Sequence, residues 1–348
     1  MTATLAKGAA PSPPQGHSEP GRRSRLWFER LYARLGLPLW AGAILIGYLP
    51  FIIGLAIGHW AAGLWDVFLR DVPAVHLPIS VGILASQMGA SYACDRMHRL
   101  QDYARGMVEG SVRVDLGGLY RLGPIVVLWL LLNLFGNGAY VVSLSPGLTL
   151  TQVLLTQIST WPIQILFLTT FLWVWGYSML VIYRIGKLPL RLGSFTEDRM
   201  LGLAPFARES LRLTAVYLAL LAVMAFPQII AGGFGPLVAL MLLSFFPLGL
   251  GFFLLPLIPL RRKLQRAKGE KMRWIGAEYT KVMASVDTIG GMDDATSGRL
   301  TAIDKIQRDI RQIRTWPFET GILARLVGIV VSVTAILLAT IVRLALRI

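Results

Sequence analysis

Residues 122–183 are LGPIVVLWLLLNLFGNGAYVVSLSPGLTLTQVLLTQISTWPIQILFLTTFLWVWGYSMLVIY, a stretch without a single Asp, Glu, Lys or Arg. A second charge-free stretch lies between Arg212 and Arg261. A helix needs about 20 predominantly apolar residues to cross the hydrocarbon core of a bilayer, so each stretch has room for two spans and a short turn. The sequence therefore predicts an all-α fold, a polytopic helical transmembrane bundle.

The composition of the whole chain agrees with this interpretation. Charged residues make up 15% of the 348 residues, against about 25% in an average soluble domain, and the mean hydropathy is +0.60. The 34 Lys and Arg residues outnumber the 19 Asp and Glu residues, which gives a formal net charge of +15. An excess of basic residues is expected in the cytoplasmic loops of a membrane protein, so we predict no nucleic-acid partner.

About seven apolar segments are long enough to span a membrane. They cover approximately 37–58, 76–93, 122–142, 163–183, 213–230, 236–258 and 322–342. The second segment is the weakest, because it carries three serines and a glutamine. Counting it as a span leaves only Arg70, Arg343 and Arg347 on the side opposite the N-terminus. The positive-inside rule therefore selects seven spans with a cytoplasmic N-terminus, in a bacterial-type inner membrane.

The chain divides into four parts by composition. Residues 1–24 are rich in Pro, Gly, Ala and Ser and are followed by basic residues, so we expect a disordered basic tail. Residues 25–260 form the predicted membrane domain with six spans. Residues 261–319 form a cytoplasmic element, and residues 320–348 contain the final span.

The cytoplasmic element carries two series of apolar residues at heptad spacing, separated by Gly290 and Gly291. This pattern predicts an antiparallel helical hairpin with a coiled-coil seam. The candidate residues of the hairpin interface are Ile275, Tyr279, Val282, Val286, Ile303, Ile306 and Ile310.

A polybasic run opens the hairpin. Its candidate contacts with anionic lipid headgroups are Arg261, Arg262, Lys263 and Arg266. Basic side chains beside a span attract anionic lipids by about 1 kcal/mol for each residue near the surface. The same run also serves as a topology anchor, and the two roles are compatible.

Neutral polar residues in and near the predicted spans are the candidate lining of a polar cavity. They are Asn133, Asn137, Gln152, Thr156 and Gln164. A cavity of this kind would suit a channel or transporter for a neutral solute or a lipid. Hydrogen bonding between helices is the interpretation we prefer, because no charged residue accompanies the polar ones. Residues 148–162 are compatible with a re-entrant segment and with an extension of the fourth span.

The predicted span interiors contain no Asp, Glu, Lys or Arg, and the chain has no recognised catalytic or nucleotide-binding motif. We therefore expect a non-enzymatic protein without a cofactor. His59 and His76 fall near the outer ends of adjacent spans, where polar interface residues are a more ordinary explanation than a bis-histidine haem. The sequence predicts a membrane anchor or scaffold that presents its hairpin for self-association or for a protein partner.

Overall fold

The computed structural model describes residues 25–109, 114–134, 149–158, 161–194, 198–230, 245, 247–284 and 293–316, with isolated positions between 324 and 342. Within these ranges the chain is almost entirely helical and contains no β-strand, so the all-α class is confirmed. The tail 1–24, Asn137 and Val286 lie outside the described residues, as does most of the predicted final span.

The helices of the described residues fall into a bundle and a hairpin. They are α1 (Trp27–Arg34), α2 (Leu39–Gly42), α3 (Leu49–Ala61), α4 (Trp65–Asp71), α5 (Leu77–Met107), α6 (Leu122–Leu132), α7 (Leu150–Val153), α8 (Trp161–Lys187), α9 (Ala204–Ile230), α10 (Leu257–Ala284) and α11 (Asp294–Arg311). Between them lie the π-helical segments Ala43–Tyr48, Val72–His76 and Leu154–Ile158, and the 3-10 turn Gly117–Tyr120.

Two helices of the described residues are long and apolar enough to cross a membrane. They are Leu39–Ala61, which joins α2, a π-helical segment and α3, and Pro162–Lys187, which is most of α8. These two correspond to the first and fourth predicted spans. The seven-span arrangement stays a prediction.

The first of these helices continues through a proline. Pro50 lies in the first turn of α3, directly after the π-helical segment Ala43–Tyr48. Proline has no backbone N–H, and its ring clashes with the carbonyl group four residues earlier in an α-helix. The first turn of a helix tolerates proline, and the wider π-helical turn before it lets the chain stay helical.

Helix α5 lies at the centre of the bundle, packed against α8 and α9. Glycines let it approach both neighbours closely. A Cβ atom on Gly89 would come within 2.9 Å of the Phe171 ring on α8, and one on Gly82 within 2.8 Å of the Met224 side chain on α9. The small residues of α5 therefore mark its packing faces.

Contacts between helix ends show that α3 and α5 run in opposite directions, whereas α5 and α8 end on the same side of the bundle. The His59 ring near the end of α3 touches the His76 ring at the start of α5. At the other end of α5, Val108 pairs with Leu190, which follows α8. We call the end that contains His59 the histidine end and the end that contains Val108 the basic end.

The basic side chains follow this division. Arg70 on α4 lies near the histidine end. The other Lys and Arg residues of the described ranges fall into a few segments. They lie in α1 and just before it, in α5 from Arg96 onward, in the segment before α6, in the last turns of α8, in the loop between α8 and α9, in the first turns of α9 and in the hairpin.

Candidate functional site

The hairpin extends directly from the bundle, because α10 is one continuous helix. Leu257, Leu260 and Leu264 of α10 pack in the main core of the bundle. Further along the same helix, Ile275 forms a second buried cluster with Ile310 of α11 and Ile313. No helix boundary occurs at the predicted start of the hairpin, residue 261.

The predicted seam brings α10 and α11 together in an antiparallel hairpin. Ile275 and Ile310 are almost completely buried, and Ile303 and Ile306 are partly buried against the same cluster. Tyr279 lies on the seam side of α10 but remains 50% exposed. Val282 is half-buried. The seam is therefore closed near the bundle and open along one edge further out.

Two residues of the cluster, Met272 and Ile313, are missing from the predicted interface. Met272 lies three residues before Ile275, so extending the heptad series by one step toward the bundle would have found it. Ile313 continues the second series by three residues beyond Ile310 in the same way.

The start of α11 is stabilised by a capping side chain. The carboxylate of Asp293 accepts a hydrogen bond from the backbone N–H of Thr296 at 2.9 Å. This bond favours the ionised form and lowers the pKa of Asp293. The capping residue sets where the second arm of the hairpin begins.

The root of the hairpin is held to the bundle by basic side chains. The ammonium group of Lys263 donates to the backbone carbonyl of Leu188, at the end of α8. Lys268 donates to the carbonyl groups of Arg311 and Ile313, at 2.7 and 2.9 Å, and so caps the end of α11. Burial lowers the pKa of Lys263. We call these contacts the root clamp.

Two further contacts complete the root clamp. The guanidinium group of Arg261 lies 4.2 Å from the ring centroid of Trp316, in cation–π geometry. The backbone N–H of Arg314 donates to the carbonyl of Arg199 at 3.3 Å. The chain that leaves α11 is therefore tied both to α10 and to the loop before α9.

The four predicted lipid contacts divide into two pairs. Arg261 and Lys263 take part in the root clamp. Arg262 and Arg266 are exposed and lie one helical turn apart on α10, so they share a face.

The predicted polar residues bond mainly to the backbone around them. Asn133 donates to the carbonyl of Trp129 at 2.8 Å, and Thr156 donates to the carbonyl of Gln152 at 2.8 Å. Gln152 accepts from the backbone N–H of Thr149 at 3.0 Å and donates to the carbonyl of Ala62 at 3.2 Å. Among these bonds only the one from Gln152 to Ala62 joins two helices, α7 and the end of α3, and the others are local to one helix.

Gln164 differs from the other polar residues of this set. It is buried on α8, and its side-chain oxygen has no hydrogen-bond partner among the described atoms.

Sequence reasoning missed the docking of α1. Glu29 accepts a hydrogen bond from the Ser91 hydroxyl at 2.5 Å, and the Tyr32 hydroxyl donates to the side-chain oxygen of Gln87. The Trp27 indole donates to the Thr170 hydroxyl on α8 at 2.9 Å. One available signal was Glu29 itself, whose other oxygen accepts from the Leu26 N–H as in a capping box.

A second missed feature is an ionic network between α5 and α9. Arg96 donates two hydrogen bonds to Glu209, both at 2.7 Å, and Arg212 donates one to the same carboxylate at 2.8 Å. The Arg96 and Glu209 side chains are only 17% and 12% exposed. This network fixes α5 against α9 at the basic end.

Comparison with protein-family models, with curated proteins and with solved structures finds no match for this chain. Its function is therefore inferred from the geometry of the bundle and the hairpin.

Proposed function

We propose that this chain is a multi-pass membrane protein that holds a helical hairpin at the membrane surface, where the hairpin pairs with that of a second copy. The observation that carries the proposal is the continuity of α10. The same helix contributes Leu264 to the bundle core and Ile275 to the hairpin cluster, so the hairpin is built onto the bundle rather than tethered by a linker.

Exposed apolar surface on the first span supports insertion in a membrane. Only 33% of the most apolar 18-residue stretch of this helix is buried inside the molecule. Trp40 is 62% exposed and Trp60 is 71% exposed, and they lie 20 positions apart along the helix. That separation is about 30 Å, which matches the thickness of the hydrocarbon core. Tryptophan side chains prefer the membrane–water interface, so Trp40 and Trp60 are suited to lie at the two opposite interfaces.

The placement of charge supports seven spans with the basic end in the cytoplasm. All described Lys and Arg residues lie outside the predicted spans, and all except Arg70 belong to segments that the seven-span arrangement puts on the same side as α1 and the hairpin. The positive-inside rule then places the hairpin in the cytoplasm and the histidine end on the outer side of an inner membrane.

The open edge of the hairpin seam supports pairing. Two helices bury only the sides that face each other, and a third or fourth helix normally covers the rest of such an apolar stripe. Tyr279 and Met283 remain 50% and 38% exposed on this edge. A second hairpin anchored in the same membrane, related to the first by a two-fold axis perpendicular to the bilayer, would cover Tyr279 and Met283. The result would be a four-helix arrangement.

Arg262 and Arg266 support the predicted contact with anionic lipids. Both are exposed at the root of the hairpin, next to the proposed cytoplasmic surface. We assign headgroup contact to this pair, whereas Arg261 and Lys263 mainly hold the hairpin to the bundle.

Cysteine crosslinking in native membranes tests the pairing. Tyr279→Cys lies on the open edge of the seam, and Ala277→Cys lies on the opposite face of α10; both are made in a Cys94→Ala background, which leaves one thiol per chain. We expect a short bifunctional maleimide to give a crosslinked dimer with Tyr279→Cys and little with Ala277→Cys.

A charge substitution provides the complementary test. Tyr279→Lys should abolish the dimer while leaving membrane insertion unchanged, because Tyr279 is half exposed and its loss spares the Ile275 cluster. Ala277→Lys is the matched control and should retain the dimer. Equal crosslinking from both cysteines, or a dimer that survives Tyr279→Lys, would contradict the proposal. A crosslink to a different protein would replace the second copy with another partner.

A further inference from the structure

The histidine end of the bundle brings two imidazole rings into contact. His59 lies near the end of α3, and His76 ends the π-helical segment Val72–His76 before α5. Their ring centroids are 5.4 Å apart, with an angle of 67° between the rings. The Phe68 ring of α4 lies 5.4 Å from each of them and closes one side of the pair.

The hydrogen bonds of the two rings leave nitrogen atoms available as ligands. His59 is 8% exposed, and its Nδ1 atom lies 2.8 Å from the carbonyl of Leu55. A carbonyl can only accept, so Nδ1 carries the proton and Nε2 keeps its lone pair. Histidines that bind metals commonly donate their other N–H to a carbonyl in this way. The Nε2 atom of His76 is buried and has no hydrogen-bond partner among the described atoms.

The separation of the rings fits a shared metal ion. Imidazole nitrogen binds Zn²⁺ at about 2.0–2.1 Å, which places two ring centroids roughly 5 Å apart on a tetrahedral ion. Two imidazoles on opposite faces of a haem iron would need roughly 6 Å between centroids and a flat porphyrin between the rings. The observed 5.4 Å therefore favours one ion held by two neighbouring rings over a haem.

We propose that His59 and His76 form a site for a borderline divalent metal ion of the Zn²⁺ or Cu²⁺ type. Imidazole is a favoured ligand of both ions. Within the described residues no three His, Cys, Asp or Glu side chains gather, so among these residues the site has two protein ligands, His59 and His76, and water would complete the coordination. Asp71, which pairs with Arg70 at 3.0 Å, interacts electrostatically with His76. This site is independent of the proposed pairing of hairpins.

Metal titration of the purified protein in detergent tests the site. We expect calorimetry with Zn²⁺ to show one ion per chain, and His59→Gln or His76→Gln to weaken binding at least tenfold. His98→Gln is a matched control, because His98 also places Nδ1 2.8 Å from a carbonyl four residues earlier but lies on the basic half of α5. His17→Gln controls for the N-terminal tail. Both controls should keep wild-type affinity.

A spectroscopic measurement on the unsubstituted protein guards against variants that fail to fold. Cu²⁺ bound at this site should show nitrogen hyperfine splitting from two imidazoles in its electron paramagnetic resonance spectrum. No stoichiometric binding of either ion, a signal from fewer than two imidazoles, or binding that survives in a folded His59→Gln or His76→Gln variant would overturn the proposal.

Discussion

Replacing Glu209 with Gln should destabilise the bundle by removing the anion that pairs with Arg96. Removing one partner of a buried ion pair costs about 3–5 kcal/mol, because the other charge stays buried without compensation. Arg96 is 17% exposed and Glu209 is 12% exposed, so a small part of the charge remains solvated. The Gln side chain also still accepts one hydrogen bond, and we therefore expect a loss of about 2–3 kcal/mol.

The lone cysteine of the chain provides the assay. Cys94 is buried on α5, two residues before Arg96, so a thiol-reactive fluorescent dye reports unfolding of this part of the bundle. One kcal/mol shifts Tm by about 2–4 °C in domains of 150–250 residues, so Glu209→Gln should lower Tm by roughly 4–12 °C. Glu278→Gln is the matched control. Its exposed pair with Lys281 should contribute about 0.5 kcal/mol or less.

A double-mutant cycle distinguishes an ion pair from a simple loss of packing. Arg96→Gln alone should cost about as much as Glu209→Gln alone. The double substitution should cost about 1 kcal/mol or more less than the sum, because it leaves neither charge of the pair uncompensated. Additive effects, or a Tm for Glu209→Gln equal to that of the Glu278→Gln control, would contradict a stabilising ion pair between Arg96 and Glu209.

Three further predictions concern the hairpin and the central helix. Ile310→Ala should remove about 2–4 kcal/mol from the hairpin cluster, and limited proteolysis should then cut the hairpin before the bundle. The pKa of Asp293 is lowered in the folded chain, so its capping contribution should be present above pH 4 or so and lost as the pH falls through that lowered pKa. The protection factors of the α11 amides, which are corrected for the intrinsic pH dependence of exchange, should follow this change, and they should not change over the same pH range in Asp293→Asn. Gly89→Val should destabilise the bundle by about 1–3 kcal/mol in the dye assay, whereas Gly123→Ala, where a Cβ would meet nothing within 4 Å, should not.

The apolar helices α3 and α8 and the two arms of the hairpin could be predicted from local periodicity in the sequence. The apolar runs predict α3 and α8, and the heptad spacing predicts both arms of the hairpin, because these signals lie within one helix or two neighbouring ones. The positions of Ile275 and Ile310 follow from the same spacing. Helix lengths were harder to predict, since α5 continues to Met107, well past its apolar part.

Contacts between distant positions could not be predicted from the sequence. Lys263 meets the Leu188 carbonyl, and Arg96 meets Glu209, only because the bundle brings separate helices together. A single sequence shows the residue types but not which of many possible partners each one meets. The polybasic run therefore looked uniform, although its members divide between the root clamp and the surface.

The polar residues show a related limit. Hydropathy marks Gln152 as an exception in an apolar stretch, but it does not tell whether the side chain meets a cavity or a backbone group. In the fold, Gln152 bonds to Thr149 and to Ala62, so its polarity is used to start α7 and to tie it to α3. A polar residue near a span is therefore weak support for a solute path until its partners are known.

The course of α10 explains why a scaffold suits this chain better than a flexible tether. Leu264 is the last fully buried residue of α10 in the bundle core, and Met272 is the first residue of α10 that packs in the hairpin cluster. Gly269 lies between them, and a Cβ there would meet nothing within 4 Å. A glycine in an exposed helix costs about 1 kcal/mol relative to Ala, so this segment is the weakest part of α10. Lys268 bonds to the end of α11 beside this glycine and braces the hairpin where it would otherwise bend most easily.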